Sequence, residues 1–127
     1  MALNSDVTGS LTTTSMLSAV SCANTAAATQ GTGTDISAYE GVLYFIEEVG
    51  TITGTLAGKI ITSASSNMSS PTDVGTFTAR TTSNDNAASV LAVNCSALKQ
   101  YVAYVGTIVT GPALISVTVT GSLKYVP

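Results

Sequence analysis

Histidine is absent from this chain of 127 residues. The side chain that most often serves as a general base or a metal ligand near neutral pH is therefore missing. Serine is abundant, but a serine nucleophile needs an activating base, and no histidine is present to act as one. Two cysteines without histidine cannot supply the four ligands of a standard zinc site. The sequence therefore predicts a non-enzymatic protein with no cofactor.

Charged residues are also scarce, at 9% of the chain, against about 25% in an ordinary soluble domain. The 16 serines and 21 threonines supply polar surface instead. Hydroxyl side chains lose less conformational entropy than lysine or glutamate when a surface becomes covered, and the cores of protein interfaces are depleted of charge. The composition therefore indicates a protein that works while packed against its neighbours.

The four basic residues are dispersed along the sequence, at Lys59, Arg80, Lys99 and Lys124. Binding to nucleic acid or to an anionic membrane surface needs clustered cations, and no apolar run approaches the ~20 residues of a membrane-spanning helix. We therefore expect neither nucleic acid nor a membrane as partner. The N-terminal residues lack the cationic region of a secretory leader, so we expect the chain to be made and used in the cytoplasm.

Residues 1–34 are predicted to form an extended N-terminal arm. They are mostly small and polar and include no aromatic residue, so they bury too little apolar surface to offset the entropy lost on ordering. A short strand is plausible at 15–21, and the apolar side chains of Met16, Leu17 and Val20 are the expected contacts with a partner. A simple disordered terminus is the alternative interpretation.

From residue 35 onward, segments rich in β-branched and aromatic residues alternate with turn signals. This pattern predicts an all-β fold, an antiparallel β-sandwich of jelly-roll type, with its body at 35–127. The predicted strands are 41–49, 55–63, 72–80, 88–94, 100–110 and 113–124. The first of these is apolar on both faces, so we expect it to be central and covered on both sides.

Glu47 and Glu48 are adjacent near the end of the first predicted strand, before a turn expected at 50–54. Neighbouring residues of a strand point to opposite faces, so these two cannot act together as a carboxylate pair. We expect both to be charges at the rim of the sheet.

Aromatic residues and cysteines supply the remaining candidate sites. Tyr101 and Tyr104 are three residues apart, so they should lie on opposite faces of one strand, one in the core and one as an interface anchor. Tyr125 near the C-terminus either docks on a partner or closes the last strand. Cys22 and Cys95 are either reduced, buried thiols or a bridge from the N-terminal segment to the body or to a neighbouring subunit.

Four segments carry a resemblance to a known family. They are Asp35-Ile36-x-x-Tyr39-Glu40, GTITGTL at 50–56, TDVGTF at 72–77 and YVAYV at 101–105. In these four segments, the body resembles the capsid decoration proteins of tailed bacteriophages, which are also called cement proteins. The resemblance implies a β-sandwich on the outer surface of the virion capsid, bound to the major capsid protein, self-associated as a homotrimer, and with a terminal arm laid over capsid subunits. It brings no catalytic residue.

Two other functions are open on the sequence. One is another assembly subunit, such as a tail-tube, head-fibre or pilus-like protein, in which the arm adds a strand to a neighbouring sheet. The other is a carbohydrate-binding or hydrolytic β-sandwich. Sugar sites usually combine exposed aromatic rings with clustered acids, and tryptophan is absent, so this second interpretation is disfavoured.

Overall fold

The structure is a computed structural model that describes residues 11–22, 28–29 and 33–123. These residues form two antiparallel sheets that pack face to face. The strands are β1 (Leu11–Cys22), β2 (Ala28–Thr29), β3 (Thr34–Asp35), β4 (Tyr39–Ile52), β5 (Thr55–Ser63), β6 (Thr72–Thr76), β7 (Ala87–Asn94), β8 (Tyr101–Val109) and β9 (Ala113–Leu123), with a 3-10 helix at Cys95–Ala97. Sheet A has the strand order β1-β9-β4-β7. Sheet B has the order β2-β8-β5-β6, and β3 also pairs with β8. The predicted all-β sandwich is confirmed.

The core lies between the sheets and is built from alternate residues of the strands, because successive side chains of a strand point to opposite faces. Burying each large aliphatic or aromatic side chain contributes about 1.5–3 kcal/mol. The buried residues of sheet A include Leu43, Phe45, Val49, Ile115, Val117 and Val119, and those of sheet B include Leu56, Ile60, Val102, Tyr104 and Ile108.

Strand β4 is longer and more exposed than its sequence predicts. It continues to Ile52, so the turn expected at 50–54 is confined to its last two residues. The strand is central, between β9 and β7, as predicted. The expectation that both its faces are covered is wrong for the described chain, because Val42 and Tyr44 are 41% and 46% exposed on the outside of sheet A.

Strand β1 falls within the predicted arm but is built into sheet A. It pairs with β9 along its length, with two register shifts, and Met16 lies in the core at 5% exposure. The short strand predicted at 15–21 is therefore confirmed and is longer than expected. The arm prediction for residues 1–10 concerns positions outside the described residues.

Most of the other strands end within one residue of their predicted bounds. The exception is the strand predicted at 72–80, which stops at Thr76 as β6. Beyond it, Arg80 forms an isolated bridge to Leu56 of β5, so the chain leaves the sheet and returns to it for one residue. No helix among the described residues is long and apolar enough to cross a membrane.

Candidate functional site

The outer face of sheet A exposes a cluster of apolar side chains on its two neighbouring strands β4 and β7. Ile46 of β4 pairs with Val90 of β7, and both side chains lie on the outer face with Val42 and Tyr44. Val90 is 61% exposed, in the middle of its strand. We call Val42, Tyr44, Ile46 and Val90 the outer apolar patch.

On the other half of this face, β9 and β1 carry hydroxyl groups over most of their length, and the exposed side chains of Leu114 and Leu11 lie near the starts of these two strands. Thr118 and Thr120 of β9 stand opposite Ser15 and Thr13 of β1, and the hydroxyl groups of Thr13 and Thr120 are 2.9 Å apart and hydrogen-bonded. An apolar patch with a tyrosine, bordered by small hydroxyl side chains, can bind a protein surface by burying apolar area and sharing hydrogen bonds.

The side chain of Glu47 lies inside the sandwich, so the prediction that it is a rim charge is wrong. Because β4 continues past this residue, Glu47 sits in mid-strand on the inner face, fully buried. The Tyr104 hydroxyl of sheet B donates a hydrogen bond of 2.5 Å to Glu47 Oε2, and Glu47 Oε1 has no hydrogen-bond partner among the described residues. Glu48, by contrast, is exposed on the outer face.

Burial raises the pKa of the Glu47 carboxyl above its usual value, and the hydrogen bond from Tyr104 and the charge of Arg80 only partly oppose this effect. Arg80 is itself nearly buried and donates hydrogen bonds to the Ser89 hydroxyl and to the carbonyl oxygens of Asn84 and Ala88. Since Glu47 has no exposed surface, it cannot reach a substrate, and its role is structural. Within the described ranges, no three acidic, cysteine or histidine residues are grouped so as to hold a metal ion.

The tyrosines and arm residues expected to contact a partner are dispersed. Tyr101 and Tyr104 lie on opposite faces of β8, as predicted, and Tyr104 is fully buried while Tyr101 is half-buried on the outside of sheet B. Tyr104 and Met16 are therefore occupied in the chain's own core and are not surface contacts in this fold. Leu17 is half-buried and packs against that core. The side chains of Val20 and Tyr125 lie outside the described part of the structure.

The outer apolar patch was missed because both faces of β4 look apolar in the sequence. One signal could have identified it: Glu48 lies at the same alternation as Val42, Tyr44 and Ile46. A charged residue in that row indicates a face that is open in the single chain.

The two cysteines lie at opposite ends of sheet A. Cys22 ends β1 beside Ala113, which also pairs with Ile52 at the end of β4. Cys95 follows Asn94, which pairs with Val42 near the start of β4. Ten residues of strand span about 33 Å, whereas the Cα atoms of a disulfide are at most about 7 Å apart. A bridge within one chain is therefore excluded, and a bridge between subunits stays a prediction.

An open groove of about 470 Å³ lies at the Cys95 end of the sandwich. Cys95 is half-buried there. The groove is lined by the start of β4, the end of β7 and the segment after the 3-10 helix, and its charged lining residues are Glu40 and Lys99.

No protein-family model matches the chain, and no curated protein matches it either. Among solved structures, the chain is similar to one from Bacillus endospore appendages, which form a family of disulfide-linked pili, with a TM-score of 0.52, 13% identity, and coverage of 91% of this chain and 90% of that one. At this identity the likeness is one of fold. A chain of infectious bursal disease virus, Gx strain, aligns with 92% of this chain and 33% of its own length, at a TM-score of 0.43 and 15% identity, and nothing follows from it about fold or function.

Proposed function

We propose that this protein is a non-enzymatic structural subunit that binds into a larger assembly through the outer apolar patch of sheet A. The observation that carries the proposal is the exposure of Val42, Tyr44 and Val90 together on two neighbouring strands of one sheet face. Large apolar side chains grouped on an open sheet face typically mark a protein interaction site. The scarcity of charge fits the same purpose, because fewer ions must be desolvated when the face is covered.

The assembly that we propose first is the capsid of a tailed bacteriophage. In this role the protein is a cement or decoration protein on the outer surface of the virion, bound to the major capsid protein and self-associated as a homotrimer. The support is the resemblance carried by residues 35–40, 50–56, 72–77 and 101–105, together with a small sandwich that presents one open apolar face. No cofactor is required.

A matched pair of variants tests the patch. The double variant Tyr44→Ser/Val90→Ser removes its two most exposed members, and Val109→Ser changes an equally exposed valine, at 61%, on sheet B. We expect the wild-type protein and Val109→Ser to be trimeric by light scattering, to co-sediment with expanded phage capsids and to raise the capsid melting temperature. The double variant should fold normally and bind weakly. A monomeric wild-type protein without affinity for capsids would exclude this function.

A second candidate function is a self-assembling, pilus-like subunit. Its support is the likeness of fold to a chain from the endospore pili over nine-tenths of both chains, and the placement of Cys22 and Cys95 at opposite ends of sheet A. Electron microscopy of the concentrated, purified protein separates the two functions. Regular fibres formed without any capsid would favour the pilus-like subunit, whereas isolated oligomers that bind only to shells would favour the decoration protein.

A further inference from the structure

Strand β7 is the most regular of the open sheet edges in the described chain. It pairs with β4 through eight consecutive residues with no register shift. The opposite edge of sheet A, β1, is interrupted by two register shifts. In sheet B, β6 has five residues and one shift, and β2 and β3 have two residues each. Bulges and short strands are the usual devices that prevent edges from pairing with other chains, and β7 has neither.

The sequence of β7 also lacks the residues that normally protect an edge. AASVLAVN contains no charged residue and no proline, although inward or edge charges and prolines are the common means of blocking strand addition. Arg80 covers only the start of the strand, where it donates hydrogen bonds to the Ala88 carbonyl and the Ser89 hydroxyl. From Val90 to the end of β7, the described residues supply no further strand partner.

We propose that β7 pairs antiparallel with β7 of a second copy of this chain, which joins two four-stranded A sheets into one continuous sheet about a two-fold axis. Pairing of a strand with its own copy brings like residues close together, and this is tolerated because β7 carries no charge that would repel its counterpart. The other edge strands among the described residues are either short or interrupted by register shifts. The edge that best matches β7 in length and regularity is therefore β7 of a second copy.

The pairing would also extend the outer apolar patch across the axis. Val90 is exposed in the middle of β7, so the patches of two copies would meet there and form one larger surface. The inference concerns the contact between copies and does not depend on whether the larger assembly is a capsid or a fibre.

Opposite charges introduced at Ala92 test the pairing. Ala92 is exposed near the middle of the free part of β7, so two lysines or two glutamates would lie close together across the axis. Analytical ultracentrifugation of the full chain should show that the wild-type protein associates in pairs through this contact, as a dimer of single chains or, where the proposed trimer forms, as a dimer of trimers. Ala92→Lys alone and Ala92→Glu alone should each dimerise about tenfold more weakly, and an equimolar mixture should recover the wild-type affinity.

Ser15→Lys is the matched control, because Ser15 is exposed on β1, the other edge of the same sheet. It should leave dimerisation unchanged, and circular dichroism should show that all variants fold. Amide exchange gives a second readout: the β7 peptide should become protected as the wild-type concentration rises. A wild-type protein that stays monomeric or stops at the trimer, no recovery in the mixture, or equal weakening by Ser15→Lys would each overturn the inference.

Discussion

The Tyr104 hydroxyl and the Glu47 carboxylate form a hydrogen bond of 2.5 Å that joins sheet B to sheet A through the interior of the sandwich. Glu47 has no exposed surface, so the Tyr104 hydroxyl takes the place of the water molecule that would donate to Oε2 in an exposed carboxylate. A hydrogen bond to a buried charged group contributes more than one between neutral groups, and it is costly to leave unmade. The pair therefore fixes how the two sheets face each other.

Removing the Tyr104 hydroxyl group should show how much its hydrogen bond to Glu47 contributes to the stability of the fold. We predict that Tyr104→Phe lowers the free energy of unfolding by about 1–3 kcal/mol, because it removes the hydrogen bond to Glu47 Oε2, and Oε1 already has no partner in the described part of the chain. Urea denaturation at neutral pH measures the change. Tyr101→Phe removes the same hydroxyl from a half-buried residue on the outside of sheet B and should change the stability by less than about 0.5 kcal/mol. Equal losses in the two variants would contradict the role of the pair.

The buried carboxyl should also give the protein a characteristic pH dependence. Burial raises the pKa of Glu47 above its usual value of 4.5 in the folded state, so the folded chain holds this proton more tightly than the unfolded chain. The contribution of Glu47 to stability is then fully present below pH 4.5 and is lost as the pH rises through the folded-state pKa.

We predict that Glu47→Gln removes this loss. The variant keeps an oxygen that accepts from Tyr104 but cannot ionise, so its stability relative to the wild type should increase as the pH rises from 4.5. Hydrogen bonds from Ser37 lower the pKa of Asp35 below its usual value of 3.8. The titration of Asp35 therefore changes the stability at more acidic pH than the titration of Glu47 does. Glu48→Gln, at the exposed neighbouring position, is the control. Parallel curves for wild type and Glu47→Gln would disprove the prediction.

The space for the pair depends on Gly58 of β5. A Cβ atom at this position would overlap Glu47 Oε2 and lie 2.5 Å from the Tyr104 hydroxyl. We predict that Gly58→Ala destabilises the fold by about 1–3 kcal/mol through overpacking, measured by thermal and urea unfolding. Ala57→Ser changes the adjacent, exposed residue of the same strand and should be close to neutral. A stable Gly58→Ala variant would mean that the pair can shift without cost.

Periodicity alone predicts most of the sandwich. The strands predicted at 55–63 and 113–124 and the opposite faces of Tyr101 and Tyr104 follow from residue type and alternation, which are local properties. Strand β1 was harder to predict, because its Ser- and Thr-rich sequence gains its order from pairing with β9, a contact between residues about a hundred positions apart. The local composition of a segment does not reveal such long-range pairing.

The candidate sites were less accessible to sequence reasoning for the same reason. The sequence alone predicts Glu47 to be a rim charge, because it does not show that β4 continues to Ile52 or that Gly58 lies opposite the carboxyl. The sequence alone also predicts that the face of β4 with Tyr44 is covered, whereas no layer of the described chain packs on that face. Both errors concern which layer covers a strand, and that depends on topology as well as on alternation.

The positions of the cysteines lead to a final prediction about assembly. Because sheet A separates Cys22 from Cys95 by about 30 Å, oxidation cannot link them within one chain, but it can link Cys22 of one copy to Cys95 of the next, where an open groove gives access. We predict that oxidised glutathione converts concentrated protein into a ladder of disulfide-linked multimers on non-reducing gels. Cys22→Ser and Cys95→Ser alone should each stay monomeric, because each lacks one of the two thiols that the link joins, and a mixture of the two variants should form mixed dimers. A monomeric wild-type band under oxidising conditions would show that the two ends do not meet, and would remove one support for a fibre-forming subunit.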